Sequence, residues 1–379
     1  MRITNGKLLT MEGQCFEKGY VDFENGVITS FGDMQSAPAA SGEVLNAEGG
    51  YIMPGMIDAH THIGISEESV RSEGEDCNEI TDPVTPQMRA IDGIYPSENA
   101  FVRAVEAGVT SAVIGPGSAN VIGGQMCFAK LWGDRIDDMI VKAPCAMKMA
   151  LGENPKRCYG SQHKTPQTRM ASAFLMREAF IKTQRYMQKL EKDPDGTAYD
   201  AKCEALIPVL RRELVAHIHC HRADDILTAI RIASEFNIRY NIIHTTDGAA
   251  CAEYIRQTGV IPVVGPVLMT SGKPETAHHA YGTAGALEKA GIEVALTTDH
   301  PVAPLDLLPV SAALCVRDGL SMEGALRGVT INAAKVGGVD DRVGSIKVGK
   351  DADIVVFTGH PFEFLSKTRA VFVSGKRVK

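Results

Sequence analysis

The middle of the chain alternates apolar, strand-like segments with helical ones, and this alternation restricts the fold more than any other feature. Between residues 51 and 344, about eight apolar segments have the character of strands, most of them followed by a helical segment. Strands that alternate with helices form parallel sheets or barrels. The chain has 379 residues, enough for a barrel of about 250 residues with additions. We therefore predict the α/β class.

The two ends of the chain have a different pattern, with short strands separated by turns. Residues 19–28 contain two strand-like runs around Asn25-Gly26, which is a strong hairpin signal. Residues 353–357 and 370–373 are also strand-like. Two strand-rich ends around a different middle indicate one small β domain built from both termini.

These patterns predict a division of the chain into two domains. Residues 1–50 and 345–379 form the composite β domain, and residues 51–344 form the barrel. Residues 165–212 are charged and helical in period, so we expect an insertion on the outside of the barrel.

Composition argues against several classes of partner. The chain has 39 Lys and Arg against 46 Asp and Glu, a net charge of −7, so nucleic acid is not an expected partner. No apolar run approaches the ~20 residues that span a bilayer, and no signal peptide is evident. Nine cysteines without a Cys-x-x-Cys pair argue against a disulfide framework. We expect a cytoplasmic protein that takes a small-molecule substrate and forms a homo-oligomer.

Two histidines follow the first apolar run of the middle segment. Residues 51–57 can form a buried strand, and Asp58-Ala59-His60-Thr61-His62 comes directly after it. Because side chains alternate along a strand, His60 and His62 project to the same side. Zinc and its neighbours in the first transition row favour imidazole nitrogen, so this pair is half of a metal site.

Further candidate ligands recur at the ends of the later strands. Active sites of β/α barrels lie at the carboxyl ends of the strands. The residues at these ends, and the predicted metal ligands, are His60, His62, Glu153, His219, His244 and Asp299. Asp299 can also act as a general base and then as a general acid, because a carboxylate beside a metal-activated water can carry its proton.

The fifth strand leaves the ligand open among three alternating histidines. We favour His219 as the ligand, since the strand ends near it. His217 would lie one layer deeper in the barrel, as a ligand or as a hydrogen-bonded core histidine. His221 would contact substrate or cap the next helix.

The arrangement resembles the amidohydrolase superfamily of metal-dependent hydrolases. The resemblance rests on residues 54–62, on the histidines after strands five and six, and on the aspartate after strand eight. Residues 330–335 and 342–356 are similar to the carboxyl-terminal signature of that superfamily, although Ala333 stands where many members have proline. The resemblance covers nearly the whole chain and is weakest over residues 165–212.

The resemblance implies a distorted (β/α)8 TIM barrel and a β-sandwich formed from both termini. It also implies hydrolysis of a C–N bond by metal-activated water, with Asp299 and His244 as catalytic residues. Asp299 takes a proton from the water and returns it to the leaving nitrogen. The implied cofactor is one or two divalent metal ions, with zinc expected and iron or manganese as alternatives.

Whether one or two metals bind depends on the fourth strand. Binuclear members of the superfamily use a carboxylated lysine or a glutamate there, and the candidates are Lys148, Glu153 and Lys156. Glu153 resembles the strand-end glutamate of N-acetylglucosamine-6-phosphate deacetylases, so we select Glu153. The alternative is a turn residue paired with a neighbouring cation.

The residue after the strand-five histidines bears on the reaction. Deaminases of the superfamily usually carry His-x-x-Glu there, whereas this chain has Arg222 in place of the acid. The sequence is closest to the imidazolonepropionase-like and prolidase-like branch, which hydrolyses cyclic amides or peptide-like bonds. Arg222 would then bind a substrate carboxylate, or be a surface arginine at a helix start. A deaminase of a heterocyclic amine and a non-catalytic homologue remain as alternatives.

Two loops are expected to shape the specificity. Residues 66–96 form a long acidic segment, and long loops in compact domains are often lids or binding loops. Residues 115–125 are rich in glycine, and Asn120 and Gln125 would orient substrate there unless the glycines serve only tight turns. The segment 270–275, after strand seven, lies on the same face.

Overall fold

The computed structural model describes residues 1–68 and 70–379, and its strands form two eight-stranded sheets. The terminal sheet contains β1 (Arg2–Leu9), β2 (Cys15–Glu24), β3 (Val27–Asp33), β4 (Val44–Asn46), β5 (Tyr51–Pro54), β14 (Ile354–Phe357), β15 (Thr368–Val373) and β16 (Lys376–Arg377). The barrel sheet contains β6 (Met56–Thr61), β7 (Val109–Ile114), β8 (Ile122–Lys130), β9 (Ile140–Ala150), β10 (Val215–Cys220), β11 (Tyr240–His244), β12 (Val263–Val264) and β13 (Ala295–Leu296).

Helices connect the barrel strands and complete the chain. In order they are α1 (Asn99–Glu106), α2 (Ile136–Met139), α3 (Glu153–Gly160), α4 (Arg169–Lys192), α5 (Ala201–Leu210), α6 (Ala223–Glu235), α7 (Ala252–Thr258), α8 (Thr283–Lys289), α9 (Leu308–Arg317), α10 (Met322–Gly328) and α11 (Ile331–Gly337). Among the described residues, no helix combines the length and the apolar character needed to cross a bilayer.

The terminal sheet unites the two ends of the chain, as predicted. Its strand order is β16-β15-β14-β5-β1-β2-β3, with β4 paired to β1. The predicted hairpin is confirmed, because β2 and β3 are antiparallel and Asn25 and Gly26 have φ values of 49° and 82°. The sheet covers its own apolar cluster, which includes Ile3, Ile52 and Phe372. The exact boundaries between the two domains stay a prediction.

The barrel sheet runs from β6 to β13 in chain order and confirms the α/β barrel. One of its strands departs from the expected parallel arrangement, since β8 is antiparallel to both β7 and β9. The physical reason is the short connection from β7 to β8, because a parallel crossover needs a dozen or more residues. This strand makes the barrel distorted.

The segment at residues 165–212 is helical, as the sequence predicts. The α4 helix begins after Thr168, whose side chain accepts a hydrogen bond from the amide of Ala171. The α5 helix begins after Asp200, which caps the amides of Lys202 and Cys203 in the same way. The two helices pack through Tyr186 of α4, whose hydroxyl donates to Glu204 of α5.

A buried lysine joins the barrel to the terminal sheet. Lys130, at the end of β8, donates hydrogen bonds to Asp351 at 2.7 Å, to Asp353 at 3.0 Å and to the hydroxyl of Ser374 at 2.7 Å. The Asp353 carboxylate is almost fully buried. A buried carboxylate without its cation is costly, so this lysine stabilises the contact between the two sheets.

We predict that Lys130→Met lowers the free energy of unfolding by about 3 kcal/mol, because it leaves a buried carboxylate without its partner. Urea unfolding followed by circular dichroism measures the change. Lys376→Met, at an exposed position of β16, is the matched control and should shift the free energy by less than about 0.5 kcal/mol. Equal stability of the two variants would contradict the assigned role of Lys130.

Candidate metal centre

The structure brings two groups of candidate metal ligands together at the carboxyl ends of the barrel strands. One group consists of His60, His62 and Asp299, and the other of His219, His221 and His244. Within each group, one potential ligand atom per residue lies within 4.8 Å of the others. The rings of His60 and His244 are 5.6 Å apart between centroids, so the two groups are neighbours.

The first group joins the first strand of the barrel to the last. Asp299 Oδ1 lies 3.3 Å from His62 Nε2 and 3.7 Å from His60 Nε2. His60 is fully buried near the end of β6, and His62 is the first residue after that strand. Asp299 follows β13 with a φ of 54°, a left-handed conformation that non-glycine residues seldom adopt.

The second group contains three imidazoles in contact. The rings of His221 and His244 stack at 4.6 Å with an interplanar angle of 8°. His219 meets His244 edge to face at 4.5 Å. His244 ends β11 with a φ of 77°, so a strained backbone presents this ring. His221 belongs to the cluster itself, whereas the sequence predicts it only as a substrate contact or a helix cap.

Backbone carbonyl groups set the orientation of two rings. His62 Nδ1 lies 2.7 Å from the carbonyl oxygen of Gly115, and His244 Nδ1 lies 2.8 Å from that of Gly265. A carbonyl only accepts, so each Nδ1 carries the proton and donates it. Each Nε2 then keeps its lone pair for a metal ion, the usual arrangement of metal-binding histidines.

Lys148 of β9 lies inside the same centre. Its side chain is fully buried, and its Nζ is 2.7 Å from His60 Nε2. Burial lowers the pKa of Lys148 to about 8. An amine with this pKa is partly neutral near pH 8, which differs from the permanently charged lysine of a surface.

The protonation states of the remaining groups suit a metal ion. Burial lowers the pKa of His60, His219 and His244 well below the ordinary value, so these rings are neutral at pH 7. Burial raises the pKa of Asp299, but His244 and His62 lower it more, so this carboxyl is ionised. Neutral imidazole and ionised carboxylate are the forms that bind metal ions. The donor set therefore fits a divalent cation.

His62 differs from the other rings. Burial lowers its pKa, but the thiol of Cys77 and the carboxylate of Asp299 raise it to about 10. The Asp299 carboxylate that stabilises a second proton on His62 would equally stabilise a metal ion at Nε2, which would take the place of that proton. This part of the centre therefore favours a cation.

Glu153, the predicted strand-four ligand, is not in either group. It begins α3, and its carboxylate lies 3.4 Å from the backbone amide of Glu275 rather than near the histidines. The strand ends at Ala150, so the chain has already turned away where Glu153 stands. The structure brings Lys148 to the histidines instead.

On the fifth strand, His219 lies in the centre and His217 does not. His217 Nε2 is 3.2 Å from the carbonyl oxygen of Val336, in the layer below. Burial lowers the pKa of His217 to about 3, so the ring is a neutral core donor. This placement agrees with the preference for His219 and with the deeper position expected for His217.

Arg222 forms an ion pair with a neighbouring residue of its own helix. Its guanidinium donates to both carboxylate oxygens of Asp224, at 2.9 and 3.0 Å, in an exposed ion pair at the start of α6. This placement matches the alternative of a surface arginine at a helix start, and the binding of a substrate carboxylate by Arg222 stays a prediction.

Asn120 and Gln125 hold the long acidic loop in place. Asn120 Nδ2 donates to the carbonyl of Glu79 at 2.8 Å and to the hydroxyl of Thr85 at 2.7 Å. Gln125 Nε2 donates to the carbonyl of Pro86. The structure therefore shows both amides bonded to the loop, and their role in orienting substrate stays a prediction. Ser69 of the loop lies outside the described residues.

Glu275 lies beside the second group, and strand periodicity did not point to it. It lies in the short turn Pro274–Thr276, and one carboxylate oxygen is 3.6 Å from His219 Nε2. The only sequence signal was its position after strand seven, on the face that carries the other ligands.

Asp58 anchors both ends of the barrel sheet to the centre. Its carboxylate accepts hydrogen bonds from the amide of His60 at 3.0 Å and from the amide and hydroxyl of Thr298 at 2.9 and 2.6 Å. The side chain is fully buried. One carboxylate thus fixes the positions from which His60 and Asp299 project.

We predict that Asp58→Ala destabilises the protein and loosens the centre. It removes the acceptor of three buried donors, and each unsatisfied donor costs about 1–3 kcal/mol. Urea unfolding in the presence of chelator should show a loss of at least about 2 kcal/mol. Asp134→Ala, at an exposed position, serves as the control. An unchanged unfolding midpoint for Asp58→Ala would rule out the anchoring role.

Comparisons with known proteins agree with this geometry. The model of the amidohydrolase family matches residues 51–378. An amidohydrolase of Hapsidospora irregularis is 29% identical over 394 residues, which cover 96% of this chain but only 40% of that protein. The imidazolonepropionase of Sphingopyxis alaskensis is 24% identical over 412 residues, with coverages of 96% and 93%.

A solved structure gives the same result for the whole fold. The crystal structure of an amidohydrolase from Thermotoga maritima MSB8 superposes with a TM-score of 0.96 at 41% identity, and the match covers 100% of this chain and 99% of the other. The family match and this agreement extend over the barrel and its candidate metal centre. The chain belongs to the amidohydrolase family and is a hydrolase of carbon–nitrogen bonds.

Proposed function

We propose that this chain hydrolyses a cyclic amide or a peptide-like bond of a small molecule, with a divalent metal centre held by the histidines and Asp299. The observation that carries the proposal is the convergence of two ligand groups at one mouth of the barrel. Their side chains come from the ends of four strands, β6, β10, β11 and β13, that are far apart in the sequence. A buried assembly of lone-pair donors is unfavourable without a cation, which supports a role in metal binding.

The ligands proposed are His60, His62, His219, His244 and Asp299, with Lys148 as the strand-four group. Imidazole and carboxylate donors suit zinc, with iron or manganese as alternatives. A divalent ion bound there would lower the pKa of water toward 7 and polarise a substrate carbonyl.

Asp299 is the proposed proton carrier. Its Oδ1 is buried and, among the described residues, accepts no hydrogen bond. Its pKa lies below the ordinary carboxyl value, so it starts ionised and can accept a proton from water. It then donates that proton to the nitrogen of the breaking C–N bond, which leaves as a neutral amine.

Lys148 is proposed as a bridging ligand in carboxylated form. The neutral amine would attack carbon dioxide to form a carbamate, with release of one proton, and the carbamate oxygens would be the ligands. Burial and contact with His60 support this assignment, because a charged ammonium at that position would repel a metal ion.

The likeness to an imidazolonepropionase over nearly the full length of both chains supports a cyclic amide as the substrate. A positive group near the centre suits a substrate that also carries an anionic part. Lys273, about one third exposed, donates to Asn154 Oδ1 at 3.0 Å beside the histidines. We propose that Lys273 binds a substrate carboxylate, the role that the sequence suggested for Arg222.

We predict that Asp299→Asn retains metal but lowers turnover of a responsive amide by at least about 100-fold, since it removes the proton carrier. The assay uses a panel of cyclic amides, N-acyl amino acids and dipeptides, with metal content measured by plasma mass spectrometry. Asp134→Asn is the control. Turnover near that of the wild type would remove Asp299 from this role.

We predict that Lys148→Met lowers the number of metal ions per chain from two to one, because it removes the bridging group. Glu153→Gln, five residues further along the chain and outside both ligand groups, retains the backbone amide that contacts Glu275 and should keep both ions. Plasma mass spectrometry of protein reconstituted with zinc or manganese in bicarbonate buffer gives the count. The reverse pattern would restore Glu153 as the strand-four ligand.

A further inference from the structure

Glu275 has one carboxylate oxygen fixed and the other free. Oε2 accepts a hydrogen bond from the backbone amide of Glu153 at 2.9 Å. Oε1 is buried and, among the described residues, has no hydrogen-bond partner. The residue is only 2% exposed, so water does not readily reach this oxygen. A buried, unpaired carboxylate oxygen is costly and indicates that a ligand is missing from its surroundings.

The free oxygen faces the second histidine group. Oε1 lies 3.6 Å from His219 Nε2 and 3.8 Å from His221 Nε2. The ammonium of Lys273 is 3.8 Å away and is already hydrogen-bonded to Asn154. Lysine therefore balances the charge of Glu275 only from a distance.

These spacings suit joint binding of one cation. Ligand atoms around a tetrahedral zinc ion, each about 2.1 Å from the metal, lie roughly 3.4 Å from one another. The distances from Oε1 to the two Nε2 atoms exceed this value by 0.2 and 0.4 Å. Small side-chain rotations would close them.

We propose that Glu275 is a metal ligand supplied by the loop after strand seven, acting with His219 and His221 in the second histidine group. This inference rests on the proposed function, because it requires a metal ion at this mouth of the barrel. It adds a carboxylate to a group that otherwise contains only imidazoles. Carboxylate ligands favour harder ions, so the second position would accept manganese more readily than three imidazoles alone would.

Residues of the loop after strand four contact Glu275 and leave room for its side chain. Gly152 has a φ of 86°, and a Cβ atom there would lie 2.9 Å from Glu275 Oε2 and 3.1 Å from Asp225 Oδ2. Glycine leaves room for both carboxylates and adopts this backbone conformation without strain. The amide of Glu275 in turn lies 3.4 Å from Glu153 Oε2, so the loops after strands four and seven hold each other. Glu153 is thus a positioning residue for Glu275.

The test measures metal binding to Glu275→Gln, which keeps the size and the hydrogen bond to Glu153 but loses the charge. Chelator-treated protein is titrated with manganese and separately with zinc in a calorimeter, and the bound metal is counted by mass spectrometry. We expect the affinity of one of the two ions to fall at least 10-fold, with a larger loss for manganese than for zinc. Glu79→Gln, an exposed glutamate, is the matched control.

A second variant guards against misfolding. Glu275→Asp keeps the charge but moves the carboxylate oxygen away from the histidines, so it should also weaken the binding of one ion. Its circular dichroism spectrum should match that of the wild type. Unchanged metal affinities in both variants would overturn the inference, and a raised KM in those variants would then assign Glu275 to substrate. A wild-type chain that binds no metal would overturn the proposed function as well, which separates the two failures.

Discussion

The hydrogen bonds accepted by the carboxylate of Asp58 are the interactions on which the candidate metal centre depends. The carboxylate joins the amide of His60, in the first barrel strand, to the amide and hydroxyl of Thr298, just after the last. The hydroxyl of Thr297 adds a hydrogen bond to the carbonyl of His60. The same hydrogen bonds therefore close the barrel and place His60 beside Asp299.

The second constraint is electrostatic. Burial removes the charge from most histidines of the centre, whereas Asp299 stays ionised, and Lys148 is forced toward a lower pKa. Each of these states costs free energy in a barrel without a bound ion. The same states are the ones that coordinate a cation, so a metal ion bound here would offset that cost. Stability would then depend on the same residues as the proposed function.

The sequence located those candidate ligands whose positions follow from strand periodicity. Alternation placed His60 and His62 on one side, and the strand ends located His219, His244 and Asp299 at one mouth, where the structure also has them. Lys148 was harder to select because an inward lysine in a strand looks like any other lysine, and Glu153 stood at the expected strand end. The choice between Lys148 and Glu153 needed the exact end of β9, which lies three residues before Glu153.

Contacts between loops could not be read from the sequence at all. Asparagine is a residue type that often binds substrate, yet the Asn120 side chain donates hydrogen bonds to Thr85 and Glu79 of the acidic loop. Glu275 looks like a turn residue until its loop packs against the one that carries Glu153. Specificity in such a barrel depends on these loops rather than on the strands. The backbone amide of Glu153 holds the Glu275 carboxylate and Gly152 leaves room for it, so a side chain introduced at residue 152 would disturb Glu275 without touching a histidine.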